Sequence, residues 1–352
     1  MSEETTNTRH PGSRSEGEAI RDLSERGEPL TRSRLRASLA AGPRRSDRDH
    51  GWWQRLLDSD LFYSFTRSKL VMAAALVTVL TVGAALLAPL IAPQDPYDLK
   101  TLSLLDANTP PAWEKGGDSR FLLGTDDQGR DILSTMLYGT RSSLIIGVAA
   151  VLLATVLGVA LGLWAGYAGG RIDAFIMRAA DVQLTFPAIL TALLIDGVML
   201  AVFKNYRFEA GKLWVLVISI GLAYWVHYAR TVRGVTLVER NKEYVEAARL
   251  IGLSPVKIMF QHILPNVMNP VLVIATINLA LAIITEATLS FLGVGLPPTE
   301  PSLGTMIQIG NRYLFSGSWW MVAFPGLTLA VLALAVNLLG DWLRDALNPR
   351  LR

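Results

Sequence analysis

Six apolar runs separated by polar segments constrain what this chain can fold into. They cover about Leu70–Ala92, Ser142–Tyr167, Leu184–Phe203, Leu213–Tyr228, Val267–Ala287 and Met321–Leu339. Inside lipid every backbone N–H and C=O must be satisfied within the segment, which leaves helices for single runs of this length. The expectation is an all-α polytopic membrane protein with six transmembrane helices. Composition agrees, with 51% hydrophobic residues among 352 and a mean hydropathy of +0.34. The chain has no cysteine, so disulfides, thiolate metal sites and Cys nucleophiles are excluded.

Charge sets the expected orientation. The loop 229–264 carries Arg230, Arg233, Arg240, Lys242, Arg249 and Lys257, which favours the cytoplasm. Six spans then put both termini in the cytoplasm and the long hydrophilic segment 93–141 outside. The link KNYRFEAGK over 204–212 falls outside by parity, although its basic residues oppose the rule. Residues 1–50, rich in Arg, Ser, Glu and Gly, read as a disordered cytoplasmic tail. Its arginines alternate with acids and lack interleaved aromatics, which argues against nucleic acid. No short apolar core near the start precedes a cleavage site, so a signal peptide is not expected. Trp52, Trp53, Leu56, Leu57, Leu61 and Phe62 suggest an interfacial helix over 51–69, ahead of a transmembrane domain over 70–352.

Between the fourth and fifth runs lies YVEAARLIGLSPVKIMFQHILPN, residues 244–266. Tyr244, Ala247, Ala248 and Ile251 recur at i, i+3, i+4, i+7 and predict the apolar face of a short helix. Glu243, Glu246 and Arg249 take the other face. Gly252 is expected to end that helix in the left-handed conformation. Ser254 and Pro255 then supply the cap and first turn of a second helix, with Val256, Met259, Phe260 and Ile263 as its apolar stripe. Helix, glycine elbow and capped helix together predict a shaped docking surface.

The order Glu246-Ala247-Ala248, then Gly252, then Leu264-Pro265 resembles the EAA loop of ABC-importer permeases. The short form of that motif has Ile two residues before Leu-Pro. Here His262 stands there, and HILPN is similar to the peptide-transporting branch. LGTDDQGRD at 123–131 independently resembles the segment that peptide and nickel permeases carry before their second span. The resemblance covers roughly residues 60–352. It implies a type I importer permease in a bacterial cytoplasmic membrane, forming half of a translocation pathway for di- or oligopeptides. Nickel, microcin-like peptides and glutathione travel through similar permeases. It also implies a second, homologous permease subunit in a heterodimer, two cytoplasmic ATPase subunits and an external binding protein. The coupling set it assigns is Tyr244, Glu246, Ala247, Ala248, Gly252, Pro255, His262, Leu264 and Pro265. No cofactor is expected on this chain, since ATP and Mg belong to the partners.

Three further groups stand out. Gly158, Gly162 and Gly166 fall four apart on one face of the second span, where another helix can approach closely. Asp196 and Glu286 are ionisable residues in or at the ends of apolar runs, either lining the pathway or bonded to a neighbouring helix. They also support the alternative of a proton-coupled secondary transporter, against which the EAA resemblance counts. Asp126, Asp127 and Asp131 miss the EF-hand spacing and predict a structural loop rather than a metal site. The only Gly-Lys pair, Gly211-Lys212, is followed by Leu213, so no phosphate-binding loop is present. Without H-E-x-x-H or G-x-S-x-G, no catalytic residue is expected.

Overall fold

The computed structural model describes residues 65–98, 102–202 and 209–346. The expected tail over 1–50, the greater part of the expected interfacial helix over 51–69, part of the 204–212 link and residues 347–352 lie outside them. Among the described residues the regular structure is helical, apart from one bridge between Thr125 and Asp131. In chain order the helices of eight residues or more are α1 (Lys69–Leu86), α2 (Ile132–Ala168), α3 (Gly170–Leu184), α4 (Ala188–Val202), α5 (Glu209–Glu239), α6 (Glu243–Leu250), α7 (Pro255–Phe291), α8 (Leu303–Tyr313) and α9 (Trp320–Ala346). Five of them, α1, α2, α5, α7 and α9, are long and apolar enough to cross a membrane, and the bent pair α3–α4 makes a sixth crossing if counted as one.

The helices outrun the apolar runs because their polar ends find partners. α2 starts at Ile132 rather than Ser142, so the loop expected over 93–141 ends ten residues earlier. Asp131 caps it, its Oδ2 accepting from Ser134 N at 2.8 Å and Ser134 Oγ at 2.5 Å. The hydroxyls of Thr135 and Thr140 donate to carbonyls one turn back, so this polar stretch is satisfied as helix. α5 continues past Tyr228 to Glu239, into the segment expected to be loop. There Arg230 and Arg233, three apart and on one face, pair with Asp181 and Asp173 of α3.

The third apolar run is not one straight span. α3 and α4 meet at 101° across Thr185, Phe186 and Pro187. Pro187 has no N–H to continue a helix and its ring disfavours helical backbone at Phe186, so the chain turns there. α7 runs unbroken from Pro255 but contains a π turn at Met259–Ile263. The wider turn sits just before Pro265, whose ring does not fit a regular α-turn behind it.

The main core joins α2, α5 and α7, through residues such as Ile146, Ala154, Ile220, Tyr228, Val267 and Ala282. A smaller cluster of Ile132, Met306, Ile309, Trp320 and Met321 ties the start of α2 to α8 and α9. The LGTDDQGRD segment is held against it. Asp126 accepts from Arg130 Nε at 2.6 Å and from the amides of Gln128 and Arg130, while Arg130 reaches Pro298 O at 2.8 Å. Asp126 is thereby committed to protein donors, as a structural turn requires. Trp320 Nε1 donates to Thr125 O at 3.1 Å and closes the arrangement.

Candidate functional site

α6 is short, and its hold on the bundle comes from one face. Val245 and Ala248 are buried and Tyr244 is half-buried. The expected face of Tyr244, Ala247, Ala248 and Ile251 is therefore rotated: Ala247 is exposed, and Leu250 and Ile251 are 88% and 75% exposed. Ile251 already lies beyond the last helical residue. The turn that removes it is a Schellman motif, with Leu253 N donating to Ala248 O at 3.1 Å and Gly252 N to Arg249 O at 3.0 Å. Gly252 carries the required left-handed backbone at φ +80°.

Ser254 Oγ accepts from Lys257 N at 3.4 Å, and Pro255 occupies the first turn of α7. The residues α7 buries here are Ile258 and Ile263, five apart. That spacing shares a face because the π turn adds one residue to the cycle. Val256 and Phe260, expected in the apolar stripe, are 59% and 57% exposed. Leu264 and His262 are half-buried, and Pro265 is exposed.

Polar bonds fasten α6 to its surroundings, and among the partners Glu239, Lys242 and Asn266 were not expected site residues. Tyr244 OH donates to Glu239 Oε2 at 2.5 Å, and Lys242 Nζ to Glu239 Oε1 at 2.6 Å. Asn266 Nδ2 donates to Tyr244 OH at 3.1 Å and to His262 O at 2.9 Å. Burial, reinforced by the Glu239 carboxylate, pushes the Tyr244 hydroxyl up to about 12, so it remains a donor at ordinary pH. Arg249 lies over the Tyr167 ring at 5.2 Å, and Arg240 donates to Gly166 O at 2.8 Å. Asn266 stood in the sequence as the last residue of HILPN, and Glu239 only as one acid among many.

Gly158, Gly162 and Gly166 face α5 at successive turns. A Cβ at Gly162 would stand 2.9 Å from both Ala229 Cα and Val232 Cβ. One at Gly158 would stand 3.0 Å from Ala229 N, and one at Gly166 2.7 Å from Thr236 Cβ. Backbones come this near only where the side chain is missing.

Glu286 of α7 is fully buried and accepts from Ser143 Oγ at 2.6 Å and Ser290 Oγ at 2.7 Å. Ser143 in turn accepts from Leu303 N, at the start of α8, at 3.3 Å. Glu286 thus joins α2, α7 and α8. Asp196, on α4, is 3% exposed, and among the described residues nothing hydrogen-bonds its Oδ2.

A family model for the binding-protein-dependent transport system inner membrane component matches residues 158–352. A second, for the N-terminal TM domain of oligopeptide transport permease C, matches residues 57–111. The chain is 40% identical over 293 residues to the di/tripeptide transport system permease protein DppC of Pseudomonas aeruginosa, covering 83% of this chain and 92% of that protein. It is 37% identical to the dipeptide transport system permease protein DppC of Haemophilus influenzae, covering 83% and 95%. The protein of that name in Escherichia coli K12 is 39% identical, covering 83% and 93%. With the helical bundle and its membrane-length spans, these matches lead to one conclusion: the chain belongs to the family of binding-protein-dependent transport system inner membrane components.

Proposed function

We propose that this chain forms half of the translocation pathway of a bacterial inner-membrane importer for di- and oligopeptides, with a homologous permease subunit as the other half. Two cytoplasmic ATPase subunits supply the energy and an external binding protein delivers the peptide. Both termini and α6 face the cytoplasm, and the segment holding LGTDDQGRD faces outside. The names of the relatives support the substrate class. One observation supports the coupling role most directly: α6 is anchored by Tyr244, Val245 and Ala248, yet presents Glu246, Ala247, Leu250 and Ile251 outward. Two large apolar residues beside a charge, on a helix fixed by a Schellman turn, suit a groove on a partner protein.

Two substitutions test this. Glu246→Lys reverses the charge on the exposed face, and juxtaposing like charges at an interface costs on the order of several kcal/mol. Gly252→Val meets no atom within 4 Å, yet places a β-branched residue at φ +80°, so it redirects the chain into α7 by backbone strain alone. Both variants are expected at normal membrane levels, with less co-purified ATPase and no substrate-stimulated ATP hydrolysis. Full transport by Glu246→Lys with the ATPases still bound would refute the docking role.

A further inference from the structure

The bonds around α6 reach three different membrane-length helices, and those to α5 and α7 meet at Glu239 and Tyr244. Glu239 is the last residue of α5, and its side chain is 9% exposed. Its two oxygens take different donors, Lys242 Nζ on one and Tyr244 OH on the other. The Tyr244 oxygen then accepts from Asn266 of α7. Separately, Arg249 of α6 covers the ring of Tyr167, one residue from the end of α2, whose last turn is also gripped by Arg240. α6 itself has only eight residues. A helix so short has little rigidity of its own, so a displacement imposed on it passes through its backbone joins, the packing of Val245 and Ala248 and these directional side-chain bonds.

We infer that Glu239, with Tyr244 and Asn266, is a positioning node that makes α6 move as one body with the end of α5 and the part of α7 around Asn266, so that displacement of the docking helix reaches the spans. This rests on the docking role proposed above for the exposed face of α6. Its chemistry suits the task. Charge-assisted bonds of 2.5–2.6 Å at a buried carboxylate resist stretching more than neutral contacts do. Tyr244 serves as donor and acceptor at once, which no other residue on the buried face of α6 can do. Glu239 is buried and does not belong to the exposed surface, so its effect is on transmission and not on docking.

The test uses the complete transporter, with both permease subunits, the ATPases and the binding protein, in lipid vesicles with a dipeptide inside or outside. Peptide transported per ATP hydrolysed is measured for the parent, Glu239→Leu, which has no acceptor, Tyr244→Phe and the double variant. Tyr244→Phe keeps the ring's packing and removes only the hydroxyl. Both single variants are expected to lose roughly tenfold in peptide per ATP, the scale of one hydrogen bond to a charged group, and Glu239→Leu, which lies outside the coupling set, to do so with its ATPase subunits and its unstimulated hydrolysis retained. The double variant is expected to lose less than the two single losses combined, because both remove the bond between Tyr244 and Glu239. A ratio within twofold of the parent in either single variant, additive losses in the double, or ATPase subunits lost from Glu239→Leu on purification would each overturn the inference. A parent complex that shows no peptide-stimulated hydrolysis fails the docking proposal itself, and that outcome is read before any variant.

Discussion

Gly162→Ala and Gly234→Ala are the same chemical change in two helix interiors, and the structure predicts opposite signs. In the middle of a helix, alanine is favoured over glycine by about 1 kcal/mol because less backbone entropy is lost. At Gly234 of α5 a new Cβ meets no atom within 4 Å, so that gain stands alone. At Gly162 the methyl group would lie 2.9 Å from Ala229 Cα and Val232 Cβ and would also collide with Ala229 O. None of these atoms sits at the end of a flexible side chain, so α2 and α5 must separate. Overpacking of this kind costs about 1–3 kcal/mol, and a backbone obstacle places it in the upper half of that range. Net destabilisation of about 1–2 kcal/mol remains at Gly162 after the propensity gain. The assay is the thermal midpoint of the purified chain in detergent, followed by tryptophan fluorescence at a fixed scan rate. Gly234→Ala should raise the midpoint and Gly162→Ala should lower it. A rise of equal size for both would show that α2 does not depend on close approach to α5.

Three other predictions follow from particular side chains. Because the chain has no cysteine, Lys115→Cys and Thr299→Cys should label with an impermeant thiol reagent from outside intact cells, whereas Lys257→Cys should not; labelling at 257 would invert the proposed orientation. Glu286→Gln should keep the link to Ser143 and Ser290 and retain transport across pH, whereas Glu286→Ala leaves buried hydroxyls without an acceptor and should lower the thermal midpoint, consistent with about 1–3 kcal/mol per unsatisfied group; loss of transport with Gln would instead make the charge essential. Burial first, and the neighbouring Asp126 second, hold the Asp127 carboxyl above its usual range, so its ionisation opposes folding. That opposition is absent below the usual carboxylate range and grows as pH rises through the raised value. Asp127→Asn should therefore raise the melting midpoint at pH 7 and change little in the acid range, and equal shifts at both ends would dismiss the assignment.

The apolar runs revealed the spans because lipid leaves a polar backbone no other solution. Their ends were less legible, for reasons visible in single contacts. The start of α2 depends on Asp131 and Ser134, three residues apart, and that cap was present in the sequence to be read. The extension of α5 depends on Arg233 meeting Asp173, sixty residues away, and no local pattern encodes such a pair. Pro187 was visible, but a proline within an apolar run is compatible with either a kinked span or a 101° turn, and only the packing of α3 on α5 decides. Around α6, the i, i+3, i+4, i+7 set was internally consistent yet rotated. Ile251 leaves the helix at the Schellman turn, and Val245 takes the buried position. The π turn left no trace in the periodicity: Ile263 fell in the expected stripe with Val256 and Phe260, and its sharing a buried face with Ile258 follows only once the extra residue is known.

The bundle uses two kinds of specificity, and the difference explains why α6 looks as it does. Among the spans, burying an aliphatic side chain against protein gains little over burying it in lipid, so helix pairing must come from close approach and from polar groups that lipid cannot satisfy. Gly158, Gly162 and Gly166 against α5 are the first kind, and Glu286 between Ser143 and Ser290 is the second. At α6 water competes again, and burial of Val245, Ala248, Ile258 and Ile263 regains its full value. In that setting Leu250 and Ile251 forgo about 1.5–3 kcal/mol each by standing exposed. A self-contained helix would carry polar residues there, as it does at Glu243 and Arg249. Under the proposed function, the groove of an ATPase subunit recovers that free energy on assembly. The Glu239 node then keeps the same contact from being absorbed by movement of α6 alone.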